Sequence, residues 1–321
     1  MTEKNKPICV VLTGAGISAE SGIPTFRAED GLWAGHKVEE VCTPEALKKN
    51  RAKVLEFYNE LRRNAQAAEP NAAHLALVDL EAFYEVHIIT QNVDDLHERA
   101  GSTNVLHLHG ELNKARSSFN TDYIVPCLGD QLLEDKDNHG HPMRPHIVFF
   151  GENVPMFPKA EKLVKKADIV IVIGTSLQVY PANGLVNLAP YGSLIYLIDP
   201  NPNTGFVRKQ VIAIKEKAGE GVPKVVAELL EKIKKSSYMI VAALIVLLVG
   251  IFMSLLISNN IRLGISIFGE LTTFKNGDSI LLNGANYSKG LGLIFAIIIN
   301  LSIGKEHQYK TWQHLTSHNI K

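Results

Sequence analysis

The string Thr13-Gly14-Ala15-Gly16-Ile17-Ser18-Ala19-Glu20-Ser21-Gly22-Ile23-Pro24-Thr25-Phe26-Arg27 constrains this chain more than any other feature. It follows an apolar run, Ile8-Cys9-Val10-Val11-Leu12, which reads as a buried strand. Gly14 and Gly16 permit a tight turn and let the backbone approach a ligand closely. Ser18 stands where a helix N-cap would, with free backbone N–H groups aimed at the turn. That arrangement is a ready-made pyrophosphate site. A bare Gly-Ala-Gly turn also serves as a plain packing device, so the rest of the chain must share the argument.

Short apolar runs alternate with helical stretches as far as residue 235. Val86–Ile89, Ile169–Ile173, Leu194–Ile198 and Val211–Ile214 read as strands, and residues 44–67, 71–82, 159–166 and 223–235 as helices. Such alternation predicts an α/β fold with a doubly wound parallel sheet, Rossmann-like, covered on both faces. Ligands then bind beyond the carboxyl ends of the strands, where Gln91, His109, Gly174 and Asp199 fall.

Four further blocks follow in order. Thr90-Gln91-Asn92-Val93-Asp94-Asp95-Leu96-His97 comes first, then Val105-Leu106-His107-Leu108-His109-Gly110. Arg144-Pro145-His146-Ile147-Val148-Phe149-Phe150-Gly151-Glu152 is next, and Gly174-Thr175-Ser176 with Val179-Tyr180-Pro181-Ala182 closes the series. With the opening string, these blocks make residues 1–235 resemble the sirtuins, the NAD-dependent protein lysine deacylases, and the bacterial members above all.

The resemblance implies a role for each block. NAD is consumed as co-substrate, and Gly14, Ala15, Gly16, Ser18 and Ala19 form the cofactor loop. Phe26 and Arg27 match a flexible lid, the aromatic shielding the reacting carbon and Arg27 lying near the phosphates. Gln91 would contact the ribose, Asn92 would lie near the reacting ribose, and Asp94 would hold the nicotinamide carboxamide, with Val93 between them. Gly174, Thr175 and Ser176 would meet phosphate or ribose; Asp199 and Ala218 match later cofactor contacts. His109 matches the catalytic histidine. An imidazole titrates near neutral pH and so can take a ribose hydroxyl proton. His107, two residues earlier on the same strand face, reads as a support. Phe150 and Gly151 would offer an edge to the acyl-lysine peptide, which adds as a strand.

Relatives that remove succinyl or malonyl groups carry Tyr-x-x-Arg on a small-domain helix. Here Tyr58 fits, but Leu61 stands three residues on and Arg62 one later. Positions i+3 and i+4 both neighbour i on a helix. Arg62 therefore has two readings, a grip on an acyl carboxylate or a solvated face, and acetyl and succinyl/malonyl both stay open.

A phosphate-cradling loop also serves hydride transfer, but that fingerprint spaces its glycines G-x-G-x-x-G, and Ala19 occupies the third position. Two other outcomes remain: mono-ADP-ribosyl transfer through the same NAD cleavage, and a membrane-bound NAD or ADP-ribose sensor with little turnover. Among 321 residues, 33 Lys and Arg balance 33 Asp and Glu, so no basic face for nucleic acid is expected. Cys9, Cys42 and Cys127 are far apart and suit a reducing cytoplasm. Met1 to Lys6 has no apolar core of a signal peptide, so the catalytic part is expected in the cytoplasm.

A small second domain is expected from insertions at about 31–70 and 111–143. In sirtuins the latter holds zinc on two Cys-x-x-Cys pairs. Ser117 and Ser118 stand where the first pair would begin, and Cys127, His139 and His141 lack paired spacing, so no zinc or other metal is expected. From residue 236 the composition shifts to a membrane tail. Tyr238 to Ser258 carries no charge and at about 1.5 Å per residue reaches roughly 30 Å, the thickness of a bilayer core. Lys232, Lys234 and Lys235 lie just before it, on the cytoplasmic side by the positive-inside rule. Gly290 to Gly304 is a second apolar segment: a second pass, a re-entrant piece or an amphipathic element.

Overall fold

The computed structural model describes residues 6–27, 32, 33 and 35–258. By its internal contacts the chain divides into two units, residues 1–234 and 235–321. In the first, six strands form the main sheet: β1 (Ile8–Thr13), β2 (Glu85–Thr90), β3 (Val105–His107), β4 (Ile169–Ile173), β5 (Leu194–Ile198) and β6 (Ile212–Ile214). Their spatial order is β6-β5-β4-β1-β2-β3, and every pairing is parallel. The order reverses between β1 and β4, and the crevice beyond their carboxyl ends is where such a sheet binds ligands.

Continuous apolar runs are what a sheet buried on both faces requires. Cys9 and Val11 of β1 join Ile169, Ile171 and Ile173 of β4 in one core, with Leu77, Leu80, Val222, Val225 and Leu229 from helices. Val10 and Leu12 join Val170 and Val172 in the core on the other face, with Ala160, Val164 and Leu185. The expected helix over 44–67 is two helices, Pro44–Lys49 and Arg51–Ala67. Asn50 separates them at φ −148°, and its side chain accepts from Lys53 N–H at 3.1 Å, capping the second.

The stretches 31–70 and 111–143 supply a third core inside the same unit. Val54, Phe57, Tyr58 and Leu61 pack with Leu112, Ile147 and Phe149. The antiparallel sheet there joins Gly110–Ser117 to Ile124–Pro126 and Met143–Ile147. Its loops are held by a buried carboxylate: Asp137 accepts from Ser117 Oγ at 2.6 Å, His139 N–H at 2.9 Å, and His141 N–H and Nδ1 at 2.8 and 3.1 Å. His141 also stacks on Phe119, ring centroids 4.4 Å apart. Among the described residues no group of three His, Cys, Asp or Glu side chains is arranged to hold a metal.

The last described element is the helix Ala218–Ser258. Large apolar side chains from Tyr238 to Phe252, apart from half-buried Val246, are 47–73 % exposed. By length and composition the helix could cross a membrane. The segment Gly290–Gly304 lies outside the described residues.

The hydrogen bonds to Asp137 make a direct prediction. Asp137→Ala should lower the Tm by several degrees, because it leaves the Ser117 hydroxyl and two backbone N–H groups without their acceptor. A chelator should leave the wild-type Tm unchanged. Thermal unfolding with and without chelator checks both; a chelator-dependent fall would assign the stability of these loops to a metal.

Candidate active site

Two backbone turns cross at the reversal of strand order. Gly16 N–H donates to Gly174 O at 2.8 Å, and Gly14 N–H to Ile173 O at 3.0 Å. A Cβ on Gly16 would lie 2.6 Å from Gly174 Cα, and one on Gly174, whose φ is +58°, would lie 2.4 Å from Ile17 N. The turn after β1 therefore docks onto the turn after β4 without a side chain between them. The two glycine N–H groups are thereby committed to carbonyls. Ser18 stands at the N-cap of a short 3-10 turn, not of a longer helix. The chain continues as two 3-10 turns, Ala15–Ile17 and Ala19–Ser21, and Ser18 makes no capping bond. Its buried hydroxyl instead donates to Asp94 Oδ2 at 3.1 Å and accepts from Asn92 Nδ2 at 3.1 Å.

A cavity of about 890 Å³ opens beside these turns. Its wall includes Gly14, Ala15, Gly16, Ser18, Gln91, Asn92, Val93, Asp94 and His109. Phe150, Gly151, Gly174, Thr175, Ser176 and Asp199 complete the set of expected residues that the fold brings together. Space of this size and a side-chain-free backbone cradle fit a dinucleotide.

Asn92 is 8 % exposed, and its Nδ2 also reaches Gly14 O at 3.2 Å. Asp94 accepts from Leu96 N–H at 3.2 Å; burial pushes its carboxyl pKa up, against the Leu96 and Ser18 hydrogen bonds. His109 Nδ1 faces Gln91 O at 3.1 Å. A carbonyl only accepts, so Nδ1 carries the proton and Nε2 is left as the basic nitrogen. Burial lowers the His109 pKa, against a smaller upward effect of the Gln91 carbonyl, so the ring is neutral at neutral pH. Gly110, at φ +89°, turns the chain sharply after it, and a Cβ there would meet His146 O at 1.9 Å.

Four expected residues lie elsewhere. Ala19 is exposed on the second 3-10 turn, and Ala218 is buried in the core under the sheet. Tyr58 is fully buried, stacked on Phe149 with centroids 5.8 Å apart and its hydroxyl beside the Cys42 thiol. Arg62 is 1 % exposed and lies neither in the cavity wall nor on a solvated face. Its Nε donates to Leu112 O at 2.7 Å, and one terminal nitrogen donates to Asn59 Oδ1 at 2.7 Å and Gly129 O at 3.2 Å. Phe26 and Arg27 pair with Trp33 and Leu32 as strands, but their side chains lie outside the described residues.

The wall also contains residues that sequence reasoning missed, notably Trp33 and Cys42. Trp33 is a lone aromatic in a polar stretch, a signal that could have been used; burial pushes the Cys42 thiol pKa up to about 11. Among the described wall residues there is no Lys or Arg, while Asp94, Glu152 and Asp199 are acidic.

A family model for the Sir2 family matches residues 14–181. The chain belongs to the Sir2 family. An NAD-dependent protein deacylase of Aggregatibacter actinomycetemcomitans is 77 % identical over 201 residues, which are 63 % of this chain and 97 % of the relative. One from Helicobacter pylori is 50 % identical over 222 residues, 69 % of this chain and 97 % of the relative. Among solved structures, a Sir2 homologue in complex with NAD is 38 % identical with a TM-score of 0.64, over 71 % of this chain and 91 % of that one. A Sir2 mutant bound to a deacetylated p53 peptide and 3′-O-acetyl ADP ribose is 29 % identical, TM-score 0.60, over 70 % and 94 %. The chain is thus a sirtuin-type enzyme that uses NAD as co-substrate.

If His109 is the base, its neutral ring sets the acidic limb of activity. Because burial lowers its pKa, kcat/KM should fall only as pH drops below the ordinary histidine value of about 6.5. His109→Asn should lose activity by at least ~10²-fold across the range. An acidic limb above that value, or one that survives in His109→Asn, would remove His109 from the role of base.

Proposed function

We propose that this chain removes neutral acyl groups from protein lysines, passing the acyl group to ADP-ribose as nicotinamide is released. The observation that carries the reading is the shared wall: His109, whose Nδ1 is engaged by the Gln91 carbonyl, lines the same cavity as Asn92, Asp94 and the Gly14–Gly16 turn. Asp94 holds the nicotinamide carboxamide, and Asn92 and Gln91 orient the ribose. Asn92, with its amide fixed on Gly14 O and Ser18, has little freedom to turn. Gly14, Ala15, Gly16, Thr175 and Ser176 cradle the phosphates, with Phe26 and Arg27 as the lid and Asp199 toward the distal ribose. The acyl oxygen bonds to the ribose carbon as the bond to nicotinamide breaks. His109 Nε2 then takes the ribose hydroxyl proton so that the hydroxyl oxygen can attack the acyl carbon, and water replaces the lysine nitrogen, which leaves as the free amine. The peptide runs past Phe150 and Gly151 at the rim.

The acyl preference follows from charge. A succinyl or malonyl carboxylate brought against the described wall residues would lose water without meeting a cation there, since Arg62 is committed to three oxygen atoms elsewhere. Acetyl and other neutral acyl chains carry no such cost. A panel of acyl-peptides with NAD should show kcat/KM for acetyl-lysine exceeding that for succinyl-lysine by roughly tenfold or more. Arg62→Ala should lower the Tm and depress all acyl substrates alike. A selective loss of desuccinylation in Arg62→Ala would put the guanidinium at the acyl carboxylate and overturn the preference.

We also propose that residues 238–258 tether the enzyme to a bilayer, with the catalytic unit on the cytoplasmic side. The uncharged exposed helix and the preceding Lys232, Lys234 and Lys235 support this. The full chain should sediment with membranes and resist alkaline extraction, whereas a chain ending at Lys235 should be soluble and keep its activity. Full-length protein in the supernatant without detergent would refute the tether.

A further inference from the structure

Three consecutive carbonyls of the loop after β2 accept hydrogen bonds from the segment that carries His109. Gln91 O accepts from His109 Nδ1 at 3.1 Å, Asn92 O from His107 Nδ1 at 3.1 Å, and Val93 O from Leu112 N–H at 2.8 Å. His107 is outside the cavity wall, and its side chain is 8 % exposed. Its second nitrogen, Nε2, lies 2.8 Å from Glu98 Oε1, on the helix Leu96–Ala100. A carbonyl oxygen and a carboxylate oxygen both accept, so both ring nitrogens must carry hydrogen to satisfy this arrangement, and a ring that carries both is an imidazolium.

The charges around the ring agree. Glu98 faces it from the helix, Glu111 from the strand after Gly110, and Asp94 from the loop. Lys114 pairs with Glu111 at 2.7 Å, and its charge also lowers the pKa of Glu98. His97 is also near, but burial, followed by the charges of His74 and His107, holds its pKa well below the ordinary value, so it adds no positive charge. Burial alone would lower the His107 pKa; the hydrogen bond and charge of Glu98, the Asn92 carbonyl and Glu111 outweigh it and hold the pKa up.

We infer that His107, as an imidazolium clamped between Glu98 and the Asn92 carbonyl, is the residue that positions Asn92 for the reaction, and that its deprotonation switches the site off on the alkaline side. The inference rests on the deacylase reading above. A neutral imidazole has one donor and can keep only one of the two bonds. The charged bond to Glu98 is the stronger, so the Asn92 carbonyl is released. Asn92 then loses the backbone restraint that aims its amide at Gly14 O and Ser18 Oγ, and kcat falls while the KM for the acyl-peptide stays within about twofold. The sign is that of a raised pKa: the clamp is whole below the His107 pKa and lost as pH rises through it.

The test compares kcat against pH for the full chain in detergent, as wild type and as Glu98→Gln, beside 15N-histidine NMR of the wild type with His107→Gln used for assignment. The wild type should show an alkaline limb above the ordinary histidine range. Glu98→Gln, which removes the negative partner, should move that limb down by about one pH unit or more and leave the acidic limb of His109 in place. A merely structural role for Glu98 would lower the rate at every pH without moving the limb. At pH 7 the NMR signals of His107 should show both nitrogens protonated. An alkaline limb that does not move, or an unprotonated His107 nitrogen at pH 7, overturns the inference. The NMR arm needs neither substrate nor the Glu98 variant to fold. If the wild type frees no lysine at any pH, the deacylase reading fails, and nicotinamide release then reads the same limb.

Discussion

The close crossing of two backbone turns, Gly16 against Gly174, is the constraint on which the site depends. Parallel strands β1 and β4 sit side by side, but their chains leave in opposite directions at the point where strand order reverses. With glycine on both sides, the Gly16 N–H reaches Gly174 O at 2.8 Å. A methyl group on either residue would drive the turns apart, because each added Cβ would meet backbone atoms within 2.4–2.8 Å. The crossing holds the Gly14 carbonyl where Asn92 can bond it and places Ser18 over Asp94. One backbone contact therefore sets the positions of three side chains supplied by two separate loops.

The loop after β2 is fixed from its other side. His109, His107 and Leu112 N–H each hold one of three successive carbonyls, and the same bond that positions the loop decides which His109 nitrogen is basic. Burial then keeps His109 neutral, while the neighbouring His107, equally removed from water, is held charged by Glu98. Two histidines two residues apart thus differ in protonation because one faces a lone carbonyl and the other faces a carbonyl and a carboxylate. Arg116 and Arg144 act in a similar way on the rim: both reach Glu152, whose carboxylate also accepts from Phe149 N–H, and this fixes the turn beneath Phe150 and Gly151.

What the sequence made legible was what local pattern controls. Ile169–Ile173 and Ile8–Leu12 are uninterrupted apolar runs because both faces of the sheet are covered, and their ends located the Gly174 and Gly14 turns. About half of the cavity wall was legible, Gln91, His109, Gly174 and Asp199 as strand ends and the others through the family resemblance that the motif blocks carry. Long-range partners were not. The Ser18 hydroxyl looked like a cap, but Asp94, 76 positions away, captures it. Arg62 had two plausible fates by helix spacing; carbonyls 50 and 67 positions away give it a third, in the interior. The break at Asn50 was missed because helix periodicity carries across it, although its side chain caps the next turn. Asp137 carries no signal of its own in the sequence, and only folding gathers Ser117, His139 and His141 around it.

The central claim is that this cavity couples NAD cleavage to removal of an acyl group from lysine. Product stoichiometry measures it directly, with wild-type full-length protein, NAD and an acetylated peptide followed by mass spectrometry. The account predicts one nicotinamide, one free lysine and one O-acetyl-ADP-ribose for each turnover. Nicotinamide released while the acetyl-lysine stays intact, with ADP-ribose attached to protein or freed into solution, would contradict it.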